Sequence, residues 1–470
     1  MISEEGPALA VGDVDGDGDD DLFFGGARRY PGAIYLQDSA GRFAALDTRA
    51  SLGEDAAFED VDALFVDGDR DGDLDLFVLS GGGEFDDDHD DHQPRLYVNG
   101  GAGELRRDRA AIPEHVRLVG GRVLAHDLDG DDSAELIVLP RARARRFAAE
   151  ARGFVLAWRA GRYADVTGEL APWFSRLDMI TDAVVVDDVS GAHLVLARDF
   201  GPVTAHAIGR DGAIAEEPLP IAPPGLWSAV AYFPAADSPG GVLWLGNLGH
   251  NSKFAARGDS LLRLYYGDWD ADGSPEQLVT TTAYGDEQLV ATRDELVQQI
   301  TSLRKAFPDY GSYARSDLAA VLRADAAPER FRTLRADVTA SGYVQVGAGG
   351  FGPFHTLPAP AQVSSIRTFA RLDSSGVVAF GNTAAVNIQR GTYDALYGLL
   401  FTSRGGGGFT VADRPASTGL LVSGQARRTR SLTVGGVPHL VVAVNDGPPV
   451  LIRSRERAQA TVTRAPAPTG

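Results

Sequence analysis

The feature that most constrains this chain is a short acidic loop that recurs between runs of strand-forming residues. Its first copy, residues 13–21, reads Asp-Val-Asp-Gly-Asp-Gly-Asp-Asp-Asp and is followed by the apolar run Leu22-Phe23-Phe24. Carboxylates at alternate positions, followed by a glycine, are typical of a loop that wraps around a calcium ion. The last acid comes at the ninth place, before the twelfth place used in helix–loop–helix calcium sites. This shorter loop favours a turn between two β-strands.

Three further copies have the same spacing, at residues 67–75, 127–135 and 268–276. In the third copy Asp132 stands where glycine is preferred, and aspartate is one of the few other residues that tolerates positive φ. The sequence therefore predicts about four calcium sites. The predicted ligands are Asp13, Asp15, Asp17, Asp19, Asp21, Asp67, Asp69, Asp71, Asp73, Asp75, Asp127, Asp129, Asp131, Ser133, Glu135, Asp268, Asp270, Asp272, Ser274 and Glu276.

The loops belong to a larger repeat, in which each unit contains about four short strands separated by glycine-rich turns. Units of roughly 40–60 residues with this content are typical of propeller blades. We predict an all-β chain, a seven-bladed β-propeller, with eight blades as the alternative if residues 262–282 form their own blade. Degenerate acidic loops near Asp187, Ala235 and Arg371 are not expected to hold metal. The predicted units are 8–45, 61–107, 121–167, 182–219, a fifth from 228, 366–411 and 429–464.

One segment departs from the β pattern. Between about residues 292 and 324 the apolar residues Leu296, Ile300, Leu303 and Phe307 fall on one helical face. A two-helix insertion is predicted here, with Pro308 ending the first helix and Ser316 or Asp317 opening the second. We expect residues 1–464 to form a single propeller domain and residues 465–470, rich in Pro and Ala, to be a disordered tail.

Charge and composition limit the partners and the compartment. The formal net charge is −21, which argues against nucleic acid and anionic membranes as partners. There is no cysteine, and no apolar run approaches the length of a membrane span. Calcium loops of this kind work best where calcium is abundant. We therefore expect a secreted, cell-surface or periplasmic protein whose leader is not present in this chain, acting as a monomer.

The acidic loops and the segments around them resemble a known repeat family. Asp13–Phe23, Asp67–Phe77, Arg95–Asn99 and Gly161–Thr167 are similar to the VCBS/FG-GAP repeats, most closely to bacterial proteins of the ASPIC/UnbV-associated type. Further similar segments are 246–251, 293–296 and 302–308. The resemblance implies an exported, integrin-α-like seven-bladed propeller with calcium in its inter-strand loops. Two departures are that only four loops have the full set of acids and that the trailing domain of many relatives is not expected.

Other motifs are weaker indications of a functional site. The acidic turn 84–92 contains His89 and His92, which could hold a transition metal but more simply form a solvated turn. Residues 257–259 form an Arg-Gly-Asp tripeptide, which recurs by chance in chains of this composition. Histidines such as His115, His126 and His206 lack a partner legible from sequence, and we predict that they are structural. No sequence motif of a known hydrolase or phosphate loop is present.

Three functions remain open from the sequence. The first is a calcium-stabilised propeller that binds a protein, a small molecule or a glycan. The second is an enzyme, a hydrolase, lyase or group-transfer catalyst, with its site at the central channel beside the helical insertion and no assignable catalytic residue. The third is a lectin with sugars between blades, which would require exposed aromatics. Most of the five tryptophans, Trp158, Trp173, Trp227, Trp244 and Trp269, are instead expected in the core.

Overall fold

The computed structural model describes most of the chain. The described residues are 5–453 except 50, 84–85, 87–88, 189–190, 235–239, 255, 257, 259, 271, 284–285, 317, 319–320, 322–330, 374–375, 385–390 and 405–407. The tail 465–470, the end of the seventh predicted unit (454–464), most of the second predicted helix and most of the Arg-Gly-Asp tripeptide therefore lie outside the described residues.

The described residues form an all-β protein of seven sheets with antiparallel strand pairing and few helices. Sheets 1, 2 and 3 each contain four strands that pair in chain order, as the repeat predicts. Their strands are β1 (Leu9–Gly12), β2 (Asp21–Phe24), β3 (Ala33–Gln37), β4 (Phe43–Ala45), β5 (Asp60–Val66), β6 (Asp75–Ser80), β7 (Arg95–Asn99), β8 (Leu105–Asp108), β9 (Val119–His126), β10 (Glu135–Ala142), β11 (Phe154–Arg159) and β12 (Arg162–Asp165).

Sheet 4 has six strands and merges the fourth and fifth predicted units. Its strand β15 (Leu219–Pro234) pairs through its first half with β14 (Gly191–Ala207) and through its second half with β16 (Gly241–Asn247). The backbone N–H of Ile208 donates to the carbonyl of Ala192, so the second half of β14 lies beside the first. The strands of sheet 4 are β13 (Ile180–Asp188), β14 (Gly191–Ala207), β15 (Leu219–Pro234), β16 (Gly241–Asn247), β21 (Gly342–Gly347) and β22 (Gly350–Thr356).

Sheet 5 is inserted between β16 and β21. The sequence places the fourth acidic loop within the fifth unit or in a separate blade. The structure instead gives that loop its own four-stranded sheet in the order β19-β18-β17-β20. Residues 335–346 are divided between sheets 5 and 4. The strands of sheet 5 are β17 (Leu262–Gly267), β18 (Glu276–Ala283), β19 (Asp286–Leu289) and β20 (Arg332–Ala336).

Sheets 6 and 7 complete the chain. Sheet 6 pairs its four strands in order, whereas sheet 7 has three strands among the described residues. The strands are β23 (Ile366–Asp373), β24 (Gly376–Gly381), β25 (Leu399–Ser403), β26 (Phe409–Ala412), β27 (Gln425–Val434), β28 (Val437–Asn445) and β29 (Val450–Arg453).

The helices are short. The helical segment after Thr292 begins with a capping box formed by Thr292 and Glu295. It contains three helices before residue 317, where the sequence predicts one longer helix ending at Pro308. The predicted apolar face is correct, because Leu296, Ile300, Leu303 and Phe307 are all buried against sheet 5. The helices are α1 (Thr167–Leu170), α2 (Arg293–Gln299), α3 (Leu303–Ala306) and α4 (Tyr310–Ala314), with one further turn at Pro415–Thr418.

The first strands of successive units contact one another in a cycle. The contacts run from β1 to β5, β9, β13, the second half of β15, β23, β27 and back to β1. Sheets 1 and 7 also share hydrogen bonds, since Thr433 N donates to Asp20 Oδ2 and Gln37 Nε2 donates to Thr433 O. Sheet 5 stands outside this cycle. The space enclosed by the first strands is called the axis below.

The two ends of the axis differ. The turns from first to second strands, which include the first three acidic loops, lie at one end, called the loop side. There Arg70 of the second loop pairs with Asp131 of the third. Sheet 5 packs against Phe147, Met179 and Phe200, which lie at the opposite end. This end is called the insertion side. Among the described residues, no helix has the length and apolar character needed to cross a membrane.

Candidate metal centres and a buried charged axis

Each of the four predicted calcium loops brings carboxylates together. In every loop, one ligand atom from each member of a set lies within 4.8 Å of those of the others. Three loops are turns at the loop side and the fourth is the equivalent β17–β18 turn of sheet 5. The sets are Asp13, Asp15 and Asp17; Asp67, Asp69 and Asp71; Asp127, Asp129 and Glu135; and Asp268, Asp270, Asp272 and Glu276.

The first aspartate of the first, third and fourth loops organises the backbone around it. Asp13 Oδ1 accepts from the N–H of Gly16 at 2.8 Å, and its Oδ2 accepts from Gly18 at 2.9 Å. In the third loop, Asp127 accepts the N–H of Asp132 at 3.1 Å in the place of that glycine contact. Asp132 has a φ of 64°, so an aspartate does occupy the left-handed position that the sequence assigns to it.

The ninth residue fastens the loop to the sheet. Asp21 is fully buried, and its two oxygens accept the N–H groups of Val14 at 2.9 Å and Gln37 at 2.8 Å. Asp75 does the same with Gly68 and Asn99. Burial, together with a smaller contribution from the neighbouring loop carboxylates, raises the pKa of both carboxyls to about 6. A cation in the loop would offset this repulsion.

Some of the predicted carboxylate ligands lie outside the close sets. At the ninth place, glutamate is one methylene longer than aspartate, which explains why Glu135 and Glu276 reach the close sets. Asp131 instead pairs with Arg70 at 2.9 Å and accepts from the N–H of Ser133 at 2.8 Å. The carboxylates outside the close sets are Asp19, Asp21, Asp73, Asp75 and Asp131, whereas the role of the Ser133 and Ser274 hydroxyls stays a prediction.

Two polar atoms without partners fit a cation in these loops. Asp270 Oδ1 is buried and has no hydrogen-bond donor among the described residues. The hydroxyl of Tyr163 is also buried and has no hydrogen-bond partner in the described part of the chain, and it lies against Gly68 and the carboxylates of the second loop. A buried carboxylate oxygen without a donor is costly unless something positive faces it. The all-oxygen donor sets suit a hard cation such as Ca²⁺.

A second cluster of charges lies on the axis, and sequence reasoning did not find it. Asp62 is fully buried; it accepts from Arg122 Nη1 at 2.9 Å and lies 3.4 Å from Arg428 Nε. Asp182 pairs with Arg122 at 3.0 Å and accepts the N–H of Val230 at 2.9 Å. Burial raises the pKa of Asp62, but the arginines outweigh this effect and hold it below its usual value.

The same axis carries further charges toward the insertion side. Glu5, just before β1, binds two arginines: Arg141 Nε at 3.1 Å and Arg367 Nη2 at 2.9 Å. Arg141 Nη2 also donates to Asp199 at 2.6 Å. A sequence signal exists in hindsight. A charged residue precedes an apolar stretch in several first strands, at Asp62, Arg122, Asp182 and Arg367.

A cleft lies where sheets 1 and 7 meet. It has a volume of about 860 Å³ and is lined by the half-buried rings of Phe24, Tyr35 and Phe43. Leu451 of β29, which is 47% exposed, lines the opposite wall. The tryptophans do not form such a cleft. Trp227 and Trp244 are buried in the core, as predicted, and the other three are half-buried.

The acidic turn 84–92 and His115 make ion pairs and a hydrogen bond with nearby residues. In the acidic turn, Asp86 pairs with Arg145 and Asp90 pairs with Arg117 at 2.7 Å; residues 84, 85, 87 and 88 lie outside the described part of the chain. Outside the turn, His115 hydrogen-bonds to Asp165 at 2.8 Å. The described portion of the turn therefore carries ion pairs at the insertion side.

His206 is held as a neutral imidazole. Its Nδ1 lies 2.9 Å from the carbonyl of Ala215 and its Nε2 lies 3.1 Å from Thr204 Oγ1, while the ring stacks on Trp173. Burial lowers its pKa to about 4, and Arg198 contributes in the same direction. Protonation would put a charge where solvent cannot reach it.

This burial predicts a pH dependence. In the unfolded chain the His206 imidazole gains a proton below about pH 6.5, but in the folded chain only near pH 4, so folding stability falls as pH decreases between these values. We expect His206 to reduce the unfolding free energy by about 2 kcal/mol between pH 7 and pH 5. Urea unfolding of wild type and His206→Gln at both values measures this. Equal pH dependence in the two proteins would contradict the assignment.

Comparisons with known proteins give no family. No family model matches the chain, and no curated protein matches it. Among solved structures, it is similar to Saccharomyces cerevisiae Sqt1 at 9% identity, with 97% of this chain and 98% of that chain covered and a TM-score of 0.42. It is also similar to the Dos1 propeller at 9% identity, with 96% of this chain and 93% of that chain covered and a TM-score of 0.41. A third similar structure is an Agrocybe aegerita lectin that recognises non-reducing terminal N-acetylglucosamine. The identity is 12%, with 77% of this chain and 83% of that chain covered and a TM-score of 0.36. At these scores the architecture rests on the strand pairing described above.

Proposed function

We propose that this chain is a calcium-stabilised, seven-bladed β-propeller that serves as a binding module outside the cytoplasm. The observation that carries the proposal is the recurrence of close carboxylate sets at the same kind of turn. Oxygen-only ligands that repel one another without a cation favour Ca²⁺, and its binding would be coupled to folding. The extracellular setting follows from the high calcium concentration that such loops need.

The cycle of first strands supports seven blades. Sheets 1, 2, 3, 6 and 7 each contribute one first strand, and the six-stranded sheet 4 contributes two, β13 and the second half of β15. Sheet 5 is an insertion in the connection between two strands of one blade. Radial closure of this kind leaves few exposed sheet edges. The VCBS/FG-GAP resemblance of the acidic loops agrees with the same architecture.

The axis supports binding in preference to catalysis. Its acids, Asp62, Asp182 and Glu5, are each paired with arginines at hydrogen-bonding distance. The arginines hold the pKa values of Asp62 and Glu5 below their usual ranges, which leaves these two carboxylates poor proton acceptors. A binding module needs only a defined surface, which the connections on the insertion side and the cleft between sheets 1 and 7 provide.

A glycan ligand is the second candidate for what the module binds. The aromatic rings of Phe24, Tyr35 and Phe43 line one wall of the 860 Å³ cleft. Apolar and aromatic walls with a few polar groups are typical of small-molecule sites. The polar groups here include Asn445 and Glu59 at the rim.

Calcium titration of loop variants tests the metal assignment. Asp15→Asn removes a carboxylate from the close set of the first loop, and we expect the calcium stoichiometry to fall by one site in isothermal titration calorimetry. Asp47→Asn removes the same charge from an exposed pair with Arg49 and should leave the stoichiometry unchanged. If the calcium-free wild type takes up no calcium at millimolar concentrations, the proposal is wrong.

A further inference from the structure

The insertion-side mouth of the axis contains a carboxylate held by arginines from different sheets. Arg141 belongs to β10 of sheet 3 and Arg367 belongs to β23 of sheet 6. Each binds a different oxygen of Glu5, at 3.1 Å and 2.9 Å. A planar guanidinium is well suited to a carboxylate because its donors lie in a fixed fork. The two sheets thus converge on a position built for one carboxylate.

Glu5 reaches this position from outside the sheets. The first strand, β1, starts at Leu9, and the segment before it is anchored where Ala8 N donates to Asp60 O at 3.1 Å. A Cβ on Gly6 would lie 2.7 Å from the same carbonyl, so only glycine permits this close approach. Because Glu5 precedes the anchor, its side chain can leave the arginines without breaking any strand pair.

The position has a spare hydrogen-bond donor and is reached by solvent. Arg141 is 6% exposed, and its Nη1 has no hydrogen-bond partner among the described residues. A buried guanidinium donor without an acceptor is costly. The side chains of Glu5 and Arg367 are 19% and 18% exposed, so solvent reaches the rim of the position. The site can therefore exchange its occupant while keeping Arg141 largely dry.

We propose that this mouth is a binding site for the carboxylate of a ligand and that Glu5 fills it as an internal stand-in. A ligand carboxylate would take the contacts of Glu5 with Arg141 and Arg367 and could use Arg141 Nη1 as well. The N-terminal segment then competes with the ligand, which makes the apparent affinity depend on how often Glu5 is displaced. Asp199 keeps Arg141 oriented in either state through their 2.6 Å contact.

The test uses the full chain with Glu5→Ala, which vacates the position. Melting temperatures are measured in sodium acetate and in sodium chloride at equal ionic strength. We expect the variant to melt lower than wild type in chloride and to gain several degrees more from acetate than wild type does. The control is Glu54→Ala, which removes a carboxylate from an exposed pair with Arg109 and should respond as wild type does. An acetate gain equal to that of wild type would overturn the proposal.

Direct binding provides a second readout that does not depend on melting. Saturation-transfer NMR with propionate and with N-acetylglutamate N-methylamide, which carries one side-chain carboxylate, compares a free acid with an acidic peptide group. We expect at least tenfold tighter binding to Glu5→Gln, which preserves side-chain shape, than to wild type. Adding Arg367→Met should abolish the gain. The tighter of the two probes identifies the source of the carboxylate, and equal weak binding of both probes to all proteins would reject the site.

Discussion

Saturating calcium is expected to raise the melting temperature of this protein by roughly 10 °C over its value in EGTA. With dissociation constants near 10⁻⁴ M, typical of extracellular modules, about 10 mM calcium stabilises the folded chain by about 2.7 kcal/mol per site. Four such sites give on the order of 10 kcal/mol if they all act on one cooperative unit. The physical source is the relief of repulsion among the close carboxylates of each loop. Differential scanning calorimetry in the two buffers measures the shift.

Magnesium at the same ionic strength is the control for this experiment. Mg²⁺ requires near-octahedral geometry and keeps several waters, so it should give a much smaller shift than Ca²⁺. The combined variant Asp15→Asn, Asp69→Asn, Asp129→Asn and Asp270→Asn removes one close carboxylate from every loop. It should lose most of the calcium response. Identical melting in EGTA and calcium would show that the loops are solvated acidic turns.

Asp62→Asn is expected to destabilise the fold by about 3–5 kcal/mol, because it leaves buried arginines without their counter-charge. Asp62 is fully buried, and both Arg122 and Arg428 depend on it. Asp182 remains as their other partner but cannot balance both guanidinium groups. Urea unfolding at neutral pH measures the change, since the depressed pKa of Asp62 keeps this carboxylate ionised there.

Two further variants make this result specific. Asp38→Asn removes the same charge from an exposed pair with Arg42 and should destabilise the fold far less than Asp62→Asn does. Arg430→Met removes a guanidinium whose pKa is lowered to about 10 by burial and by the nearby Arg122 and Arg428. Because Arg430 is repelled by its neighbours, this change should cost less than Asp62→Asn. Equal costs for Asp62→Asn and Asp38→Asn would mean that the axis is more solvated than its burial indicates.

The acidic loops were predictable because their information is local. Asp13, Asp15 and Asp17 accept backbone N–H groups from within their own loop, such as those of Gly16 and Gly18 for Asp13. The same is true of the helix start at Thr292, whose capping partner is three residues away. Spacing alone therefore predicted that carboxylates meet in each loop, which face of the helical insertion is buried and the order of strands in sheets 1, 2, 3 and 6.

Tertiary structure decided the features whose partners lie far apart in the chain. Glu5 meets Arg367, and Asp62 meets Arg428, only when distant sheets close around one axis. Long-range pairing also places the fourth acidic loop in an inserted sheet. Strand β21 pairs with β16, although β17 to β20 lie between them in the chain and pair with one another. Sequence spacing does not identify the partners in such pairings, since a buried charge is tolerated only where the assembled fold supplies its partner. The repeated loop thus indicates how each unit turns, and the assembled axis determines which charges the protein can bury.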